Sequence, residues 1–526
     1  MNPAEFLTIS SAVVPEREAL ISGDGRRRLT YAAMSARVNR LAHSLRALGV
    51  GPGRRLAVMA TNSPAFVEAY YACARLGGCF VPLNYRVKRE EAAFMLAAAE
   101  PSVVLADERY LDLIDSARPG LSQLRAVAVL DGERPGLPAL ASLIAAGSDT
   151  ELTLEVNDEA PSLLLFTSGT TAQPKGVELS NRSLSLYVMN TMGPADPAAA
   201  LEKTLVSVGI FHIAGFTAIL SSIWGGRSLV LLPQFEAGAW LNAVERERVT
   251  HAFVVPTMLK RLMEEPDFGS HDLASLQLLT YGAAPMPFEV VRSAIDAFSC
   301  GLMNAYGQTE STSALTYLGP EDHRLDGPPE ADEKKRRRLR SVGRPMGDVE
   351  LSIRGPAGAS LAAGVEGEVW ARSARVMQDY LNQADETAAT VSDGWLHTGD
   401  YGYLDDGGYL FITGRLKELI IRGGENISAG EIEAALQGHP AVAEAAAIGV
   451  PDPEWGEVVK AVVVAAAGSR ATDAALRTEL RAFCRERLAS FKTPAFIAFV
   501  TALPRNSMGK VLKSDLRRDH GGADDA

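Results

Sequence analysis

A short apolar run, Leu163-Leu164-Leu165-Phe166, feeds directly into Thr167-Ser168-Gly169-Thr170-Thr171-Ala172-Gln173-Pro174-Lys175-Gly176. The run reads as a buried strand, which places the hydroxyls and glycines on a turn leaving a sheet. Many donors and one lysine converge there, and glycine lets the backbone approach a ligand closely. That combination suits a polyphosphate. It is not a Walker loop, because Pro174 stands where that pattern requires its second glycine. Taken by itself, the same stretch also reads as a plain solvent turn.

At 526 residues the chain exceeds what one core accommodates, so two or more domains are expected. A hydrophobic share of 47% is enough for large cores and too high for a disordered chain. The net charge of -12 argues against a general nucleic-acid binder, while leaving room for a local basic nucleotide pocket. Cys73, Cys79, Cys300 and Cys484 show no Cys-x-x-Cys spacing, which fits a reduced, cytoplasmic protein. The first residues read without a signal sequence, and no apolar run is long enough to span a bilayer.

Helices and strands alternate along the early chain. Met34, Val38, Leu41, Leu45 and Leu48 recur at helical spacing between Thr30, a candidate N-cap, and Gly49. Ser63-Pro64 opens a second helix that Gly77-Gly78 closes before a strand at Phe80–Leu83. Such alternation predicts an α/β fold with largely parallel sheets. Glu330 to Arg340 is dense in charge and reads as a solvated surface loop. A boundary is expected near Gly414–Lys417, dividing 1–415 from a small α+β domain at 416–526.

The donor-rich loop resembles the signature of the adenylate-forming superfamily, which includes acyl- and aryl-CoA synthetases; the usual form has glycine where this chain has Ala172. Further segments match in order. Ala305-Tyr306-Gly307-Gln308-Thr309-Glu310 is similar to the family's aromatic-Gly-x-Thr-Glu element. The resemblance implies that Tyr306 stacks on adenine, Thr309 bonds phosphate and Glu310 holds Mg²⁺, as suits an aromatic face and a hard oxygen. It places Gly282, Ala283, Ala284 and Ala305 at the AMP as well. His397-Thr398-Gly399-Asp400 resembles the element whose aspartate accepts both ribose hydroxyls, and Gly414-Arg415-Leu416-Lys417 the domain junction, with Arg415 near the ribose and Lys417 at the hinge. Pro504 to Lys510 looks like the loop of the catalytic lysine, so Lys510 would bridge substrate carboxylate and α-phosphate.

The resemblance also implies a second half-reaction with CoA. Gly423, Gly424 and Glu425 match the loop lining the pantetheine tunnel, with Trp455, Phe491 and Lys492 flanking CoA. The family moves its small domain between two poses, one for each step. The acid pocket would be formed by Phe211, His212, Gly215, Val255, Tyr281 and Gly282 with their neighbours. Those segments hold no lysine or arginine for a second carboxylate, so a bulky or long hydrophobic monoacid fits, with His212 as a gating ring. The implied ligands are ATP or acyl-AMP, Mg²⁺ and CoA.

Ala172 leaves two alternatives open. At positive φ, alanine costs about 1–2 kcal/mol of backbone strain, and a methyl aimed at the β/γ-phosphates would obstruct further. Adenylation would then be weak, with a partner enzyme supplying the acyl-AMP. Otherwise the alanine is tolerated in a complete ligase. Transfer to a carrier protein and an inert adenylate-binding protein are the remaining rivals; a luciferase-like oxygenase has no specific support.

Overall fold

The computed structural model describes residues 1–152, 154–167, 174–325, 328–423, 425–466, 474–505 and 511–524. It divides into two compact units: 1–350 with 371–396, and 351–370 with 397–526. The larger unit is mixed α/β and the smaller carries most of two further sheets.

Among the described residues, the larger unit holds a nine-stranded and a seven-stranded sheet. The first runs Arg344–Pro345, Ser313–Leu318, Gly301–Gln308, Leu278–Gly282, His251–Val254, Lys203–Val206, Ser228–Leu231, Glu18–Ser22 and Arg28–Thr30. Its centre is parallel and its edges antiparallel. The second runs Asp379–Tyr380, Lys175–Ser180, Pro161–Thr167, Cys79–Leu83, Arg55–Met59, Val103–Ala106 and Ala126–Val129. Short parallel strands buried on both faces need continuous apolar runs, and Cys79–Leu83 and Val103–Ala106 are buried throughout.

Local signals fix the helices that cover these sheets. Thr30 caps Tyr31–Ala47 by accepting from the Ala33 amide at 3.2 Å, and Met34, Val38, Leu41 and Leu45 face the core. Ser63 caps Pro64–Arg75 through the Phe66 amide at 3.2 Å. Every residue of that helix is buried, so it lies inside rather than on the surface. Its Glu68 is buried and paired with Arg27 at 2.7 Å and with Arg37, which supplies the partners a buried carboxylate requires. One continuous core joins this helix, both large sheets and the helix Ile213–Trp224.

The charged segment is not a loop. Pro329–Arg338 is a helix with proline at its first turn and Lys335, Arg336, Arg337 and Arg338 in its last. Proline is pre-set for a helix start, and cations offset the partial negative charge of the C-terminus. Charge density correctly indicated solvation, since Lys334, Arg336 and Arg337 are exposed, but it carries no information on backbone state.

The smaller unit takes in most of Glu350–Arg354, Gly367–Arg372 and Trp395–Leu404, together with Leu410–Arg415, all in one sheet. Its second sheet contains Glu425–Ile427, Ile420–Arg422, Gly456–Ala465, Val442–Asp452 and Phe496–Val500. Ser428, in the sequence Ser428-Ala-Gly-Glu431, caps the helix Ala429–Gln437 by accepting from the Glu431 amide at 3.4 Å.

Candidate adenylate site

In the larger unit, Pro161–Thr167 and Lys175–Ser180 pair antiparallel, with Thr167 opposite Lys175. The donor-rich stretch therefore connects two strands of a hairpin. Ser168, Gly169, Thr170, Thr171 and Ala172 lie outside the described residues. Lys175, at its close, is buried and ion-paired to Glu386.

Thr309 and Glu310 sit in a single 3-10 turn where Gly301–Gln308 ends. Tyr380 donates its hydroxyl to Glu310 Oε1 at 2.8 Å. Burial first, and the Glu310 charge second, push that phenol well above its ordinary range, so it stays a donor. Glu310 Oε2 takes no hydrogen bond from the described residues. Behind the turn, Thr312 and Ser313 both have left-handed backbones, at φ 51° and 79°. Such strain persists only where surroundings enforce it. Here fully buried Arg375 does so: it donates to the Ser311 carbonyl at 2.9 Å, accepts from Thr312 Oγ1 at 2.5 Å through its own carbonyl, and pairs with Asp348 at 2.7 Å.

Leu278–Gly282 lies beside Gly301–Gln308, with Gly282 opposite Ala305. A Cβ on Gly282 would fall 2.1 Å from the Ala305 carbonyl oxygen, so only glycine fits. Ala283 follows at φ 64°, the left-handed region for a residue with a Cβ, and Ala284 is exposed. Tyr306 is half-buried in the neighbouring strand. Tyr281 is fully buried, and its hydroxyl lies 2.9 Å from His323 Nε2.

Phe211 is buried edge-on against Tyr85 at 5.4 Å, beside His212 at 4.4 Å. Gly215, in the first turn of Ile213–Trp224, abuts the Gly209 carbonyl, and Val255 precedes Pro256–Met263. Burial, and then Arg86, lower the His212 pKa to about 4, so its ring is neutral at physiological pH. The sequence segments assigned to this pocket contain no cation, yet Arg86 from another segment acts on it and lies 5.4 Å from the Tyr85 ring centre.

In the smaller unit, Asp400 and Arg415 are opposite each other on adjacent strands, and Arg415 Nε meets Asp400 Oδ1 at 2.6 Å. Asp400 is buried in the strand Trp395–Leu404. Lys417 is exposed in the 3-10 turn Leu416–Glu418. Gly423 has φ 59° and donates its amide to the Trp455 carbonyl at 2.7 Å. Arg422 links this group, stacking 4.9 Å over the Trp455 ring and donating to the Phe491 carbonyl at 3.1 Å. Lys492 pairs with Glu431 at 2.6 Å, and Glu425 is opposite Arg422 across a short hairpin. Gly424 and Lys510 lie outside the described residues. The ends of the lysine loop are held: Leu512 donates to the Pro504 carbonyl at 2.8 Å, and half-buried Lys513 bridges Glu418 at 2.9 Å and Glu433 at 2.8 Å.

The structure thus groups Glu310 with Thr309, Asp400 with Arg415, and Gly423 with Trp455 and Phe491. Tyr380, Arg375, Arg86 and Arg422 escaped sequence reasoning. None stands in a motif, and each acts on a residue distant in sequence.

The residues present suit Mg²⁺, which binds through one or two carboxylates plus substrate phosphates: Glu310 has one oxygen held by Tyr380, and its other oxygen takes no hydrogen bond from the described residues. Among the described residues, no cluster of three or more His, Cys, Asp or Glu could hold a metal by itself. No helix among them is long and apolar enough to cross a membrane.

The profile described as AMP-binding enzyme matches residues 7–381, and that of the AMP-binding enzyme C-terminal domain matches 431–510. A feruloyl-CoA synthase from Amycolatopsis is 37% identical over 94% of both chains. An indoleacetate–CoA ligase from Aromatoleum aromaticum is 35% identical over 98% of both. Among solved structures, an amide bond synthetase from Marinactinospora thermotolerans superposes with a TM-score of 0.85 at 30% identity, covering 98% of this chain and 99% of that one. The chain belongs to the AMP-binding enzyme family, in the acid–CoA ligase branch of the adenylate-forming superfamily.

Proposed function

We propose that this enzyme joins a hydrophobic monocarboxylic acid to CoA in two steps. The acid attacks the ATP α-phosphorus to give acyl-AMP and pyrophosphate; CoA sulfur then attacks the acyl carbon, releasing AMP and a proton. The observation that carries this reading is the contrast between two carboxylates. Glu310, beside Thr309, has one oxygen held by Tyr380 and takes no hydrogen bond on the other from the described residues, while Asp400 is clamped by Arg415. The first suits a hard cation on phosphates, the second a pair of ribose hydroxyls.

Mg²⁺ held at Glu310 would neutralise phosphate charge. Thr309 donates to phosphate, Tyr306 offers a face to adenine, and Lys510 offsets charge that builds as the acid oxygen attacks. A preorganised cation of that kind is worth about 2.7–4 kcal/mol in such transition states. After adenylation, Gly423, Trp455, Phe491 and Lys492 flank the thiol's approach. Phe211, neutral His212 and the small Gly215 and Gly282 support an acid with a bulky apolar body. Ferulate, indoleacetate and fatty acids named for relatives share that character.

Two arms test this: a panel of aromatic and fatty acids with ATP, Mg²⁺ and CoA, and the corresponding synthetic acyl-AMPs with CoA alone. Thioester and AMP in equal amounts are expected from both. Thioester from adenylates only, restored from free acids by Ala172→Gly, would assign the ATP step to that alanine. Product with a holo-carrier protein but not CoA would move the acceptor. No product in either arm would overturn the reading.

A further inference from the structure

Tyr380 stands between two groups that the ATP step requires. Its hydroxyl donates to Glu310 Oε1, while Lys175 Nζ lies 5.0 Å from the centre of its ring. The Lys175 ammonium is ion-paired to Glu386, on the helix Ala384–Thr390. Tyrosine is the side chain that offers both a hydroxyl donor and a π-face for a cation.

The backbone around Tyr380 is fixed from both sides. Tyr380 is opposite Val177 on the strand that begins at Lys175, and the Leu381 amide donates to the Gly176 carbonyl at 2.8 Å. Met377 donates its amide to the Glu310 carbonyl, also at 2.8 Å. The Tyr380 amide in turn donates to Thr387 Oγ1 at 2.9 Å, tying in the Glu386 helix. Residues 377–381 therefore clasp the hairpin and the Glu310 turn together. Lys175 is 11% exposed and Glu386 38%, so the pair reaches solvent on the carboxylate side. An anion of higher charge can reach and replace that carboxylate.

We propose that Tyr380 is a positioning residue for the ATP-dependent step. Its hydroxyl fixes the Glu310 carboxylate, its ring seats Lys175, and Glu386 is the counter-ion that ATP phosphates displace from that lysine. The inference rests on the function proposed above, in which Glu310 faces Mg²⁺ on those phosphates. It assigns Tyr380 and Glu386 no part in thiol attack.

Tyr380→Phe keeps the ring and removes the donor. Three readouts apply: calorimetric binding of a non-hydrolysable ATP analogue against Mg²⁺ without acid, the Mg²⁺ dependence of acid-dependent ATP–pyrophosphate exchange, and thioester formation from synthetic acyl-AMP. Losing a hydrogen bond to a charged group predicts an ~10-fold rise in half-saturating Mg²⁺ and a similar fall in exchange. The thioester step should fall far less. An unmoved Mg²⁺ dependence, or equal losses in both steps, would overturn the role of Tyr380. Wild-type protein without Mg²⁺-dependent nucleotide binding would instead overturn the functional reading and the inference with it. Glu386→Gln tests the counter-ion separately and stands should the phenylalanine variant not fold. Tighter analogue binding, most at low salt, is expected; equal or weaker binding would refute displacement.

Discussion

Glu310 and Asp400 show how neighbours give similar carboxylates different surroundings. One is oriented by a phenol and the other by a guanidinium, and neither partner adjoins it in sequence. The carboxylates themselves were legible because each lies in a short motif. Tyr380 was not, since its hydrogen bond spans 70 residues. His212 gives a residue-level prediction. Its folded pKa is about 4, below the ordinary 6.5 of an unfolded histidine, so the unfolded chain binds more protons between those values. The stability it contributes is present above pH 6.5 and lost as pH falls toward 4. From pH 7.5 to 5 that contribution declines by up to about 2 kcal/mol. Denaturant melts of wild type and His212→Phe at both pH values should show a smaller acid loss in the variant; equal losses would contradict the burial account.

At the level of elements, caps and breakers carried the sequence reading well. Thr30 and Ser63 each cap the helix expected of them, because that signal is local and chemically specific. The basic segment was misread as a loop for the converse reason: charge reports exposure, and Pro329 at the helix start was the better guide. Gly423 shows an element that tolerates one residue type. With φ 59° and a Cβ position 2.8 Å from the Trp455 ring, Gly423→Ala should cost about 1–2 kcal/mol from backbone strain, with the ring displaced in addition. KM for CoA should rise while KM for ATP moves little. An unchanged CoA KM would detach this turn from the thiol step.

For the whole molecule, ligand binding should shift stability. A non-hydrolysable acyl-AMP analogue should raise the melting temperature more than AMP at equal concentration, because it adds the apolar acid pocket to the nucleotide contacts. Saturation at 100 times Kd corresponds to about 2.7 kcal/mol. Equal shifts would argue that the acyl group is not held. The expected boundary at 415/416 lies between the two family matches, which end at 381 and resume at 431. The inclusion of 351–370 and 397–415 in the smaller unit could not be read from sequence, since strand pairing across a long interval leaves no local mark. The smaller unit is therefore woven from two separate stretches of chain. A gene split just before residue 397 would strand Glu350–Arg354 and Gly367–Arg372 on the wrong fragment, leaving bare sheet edges that invite precipitation. Fragment complementation or domain grafting in this enzyme must carry both stretches together.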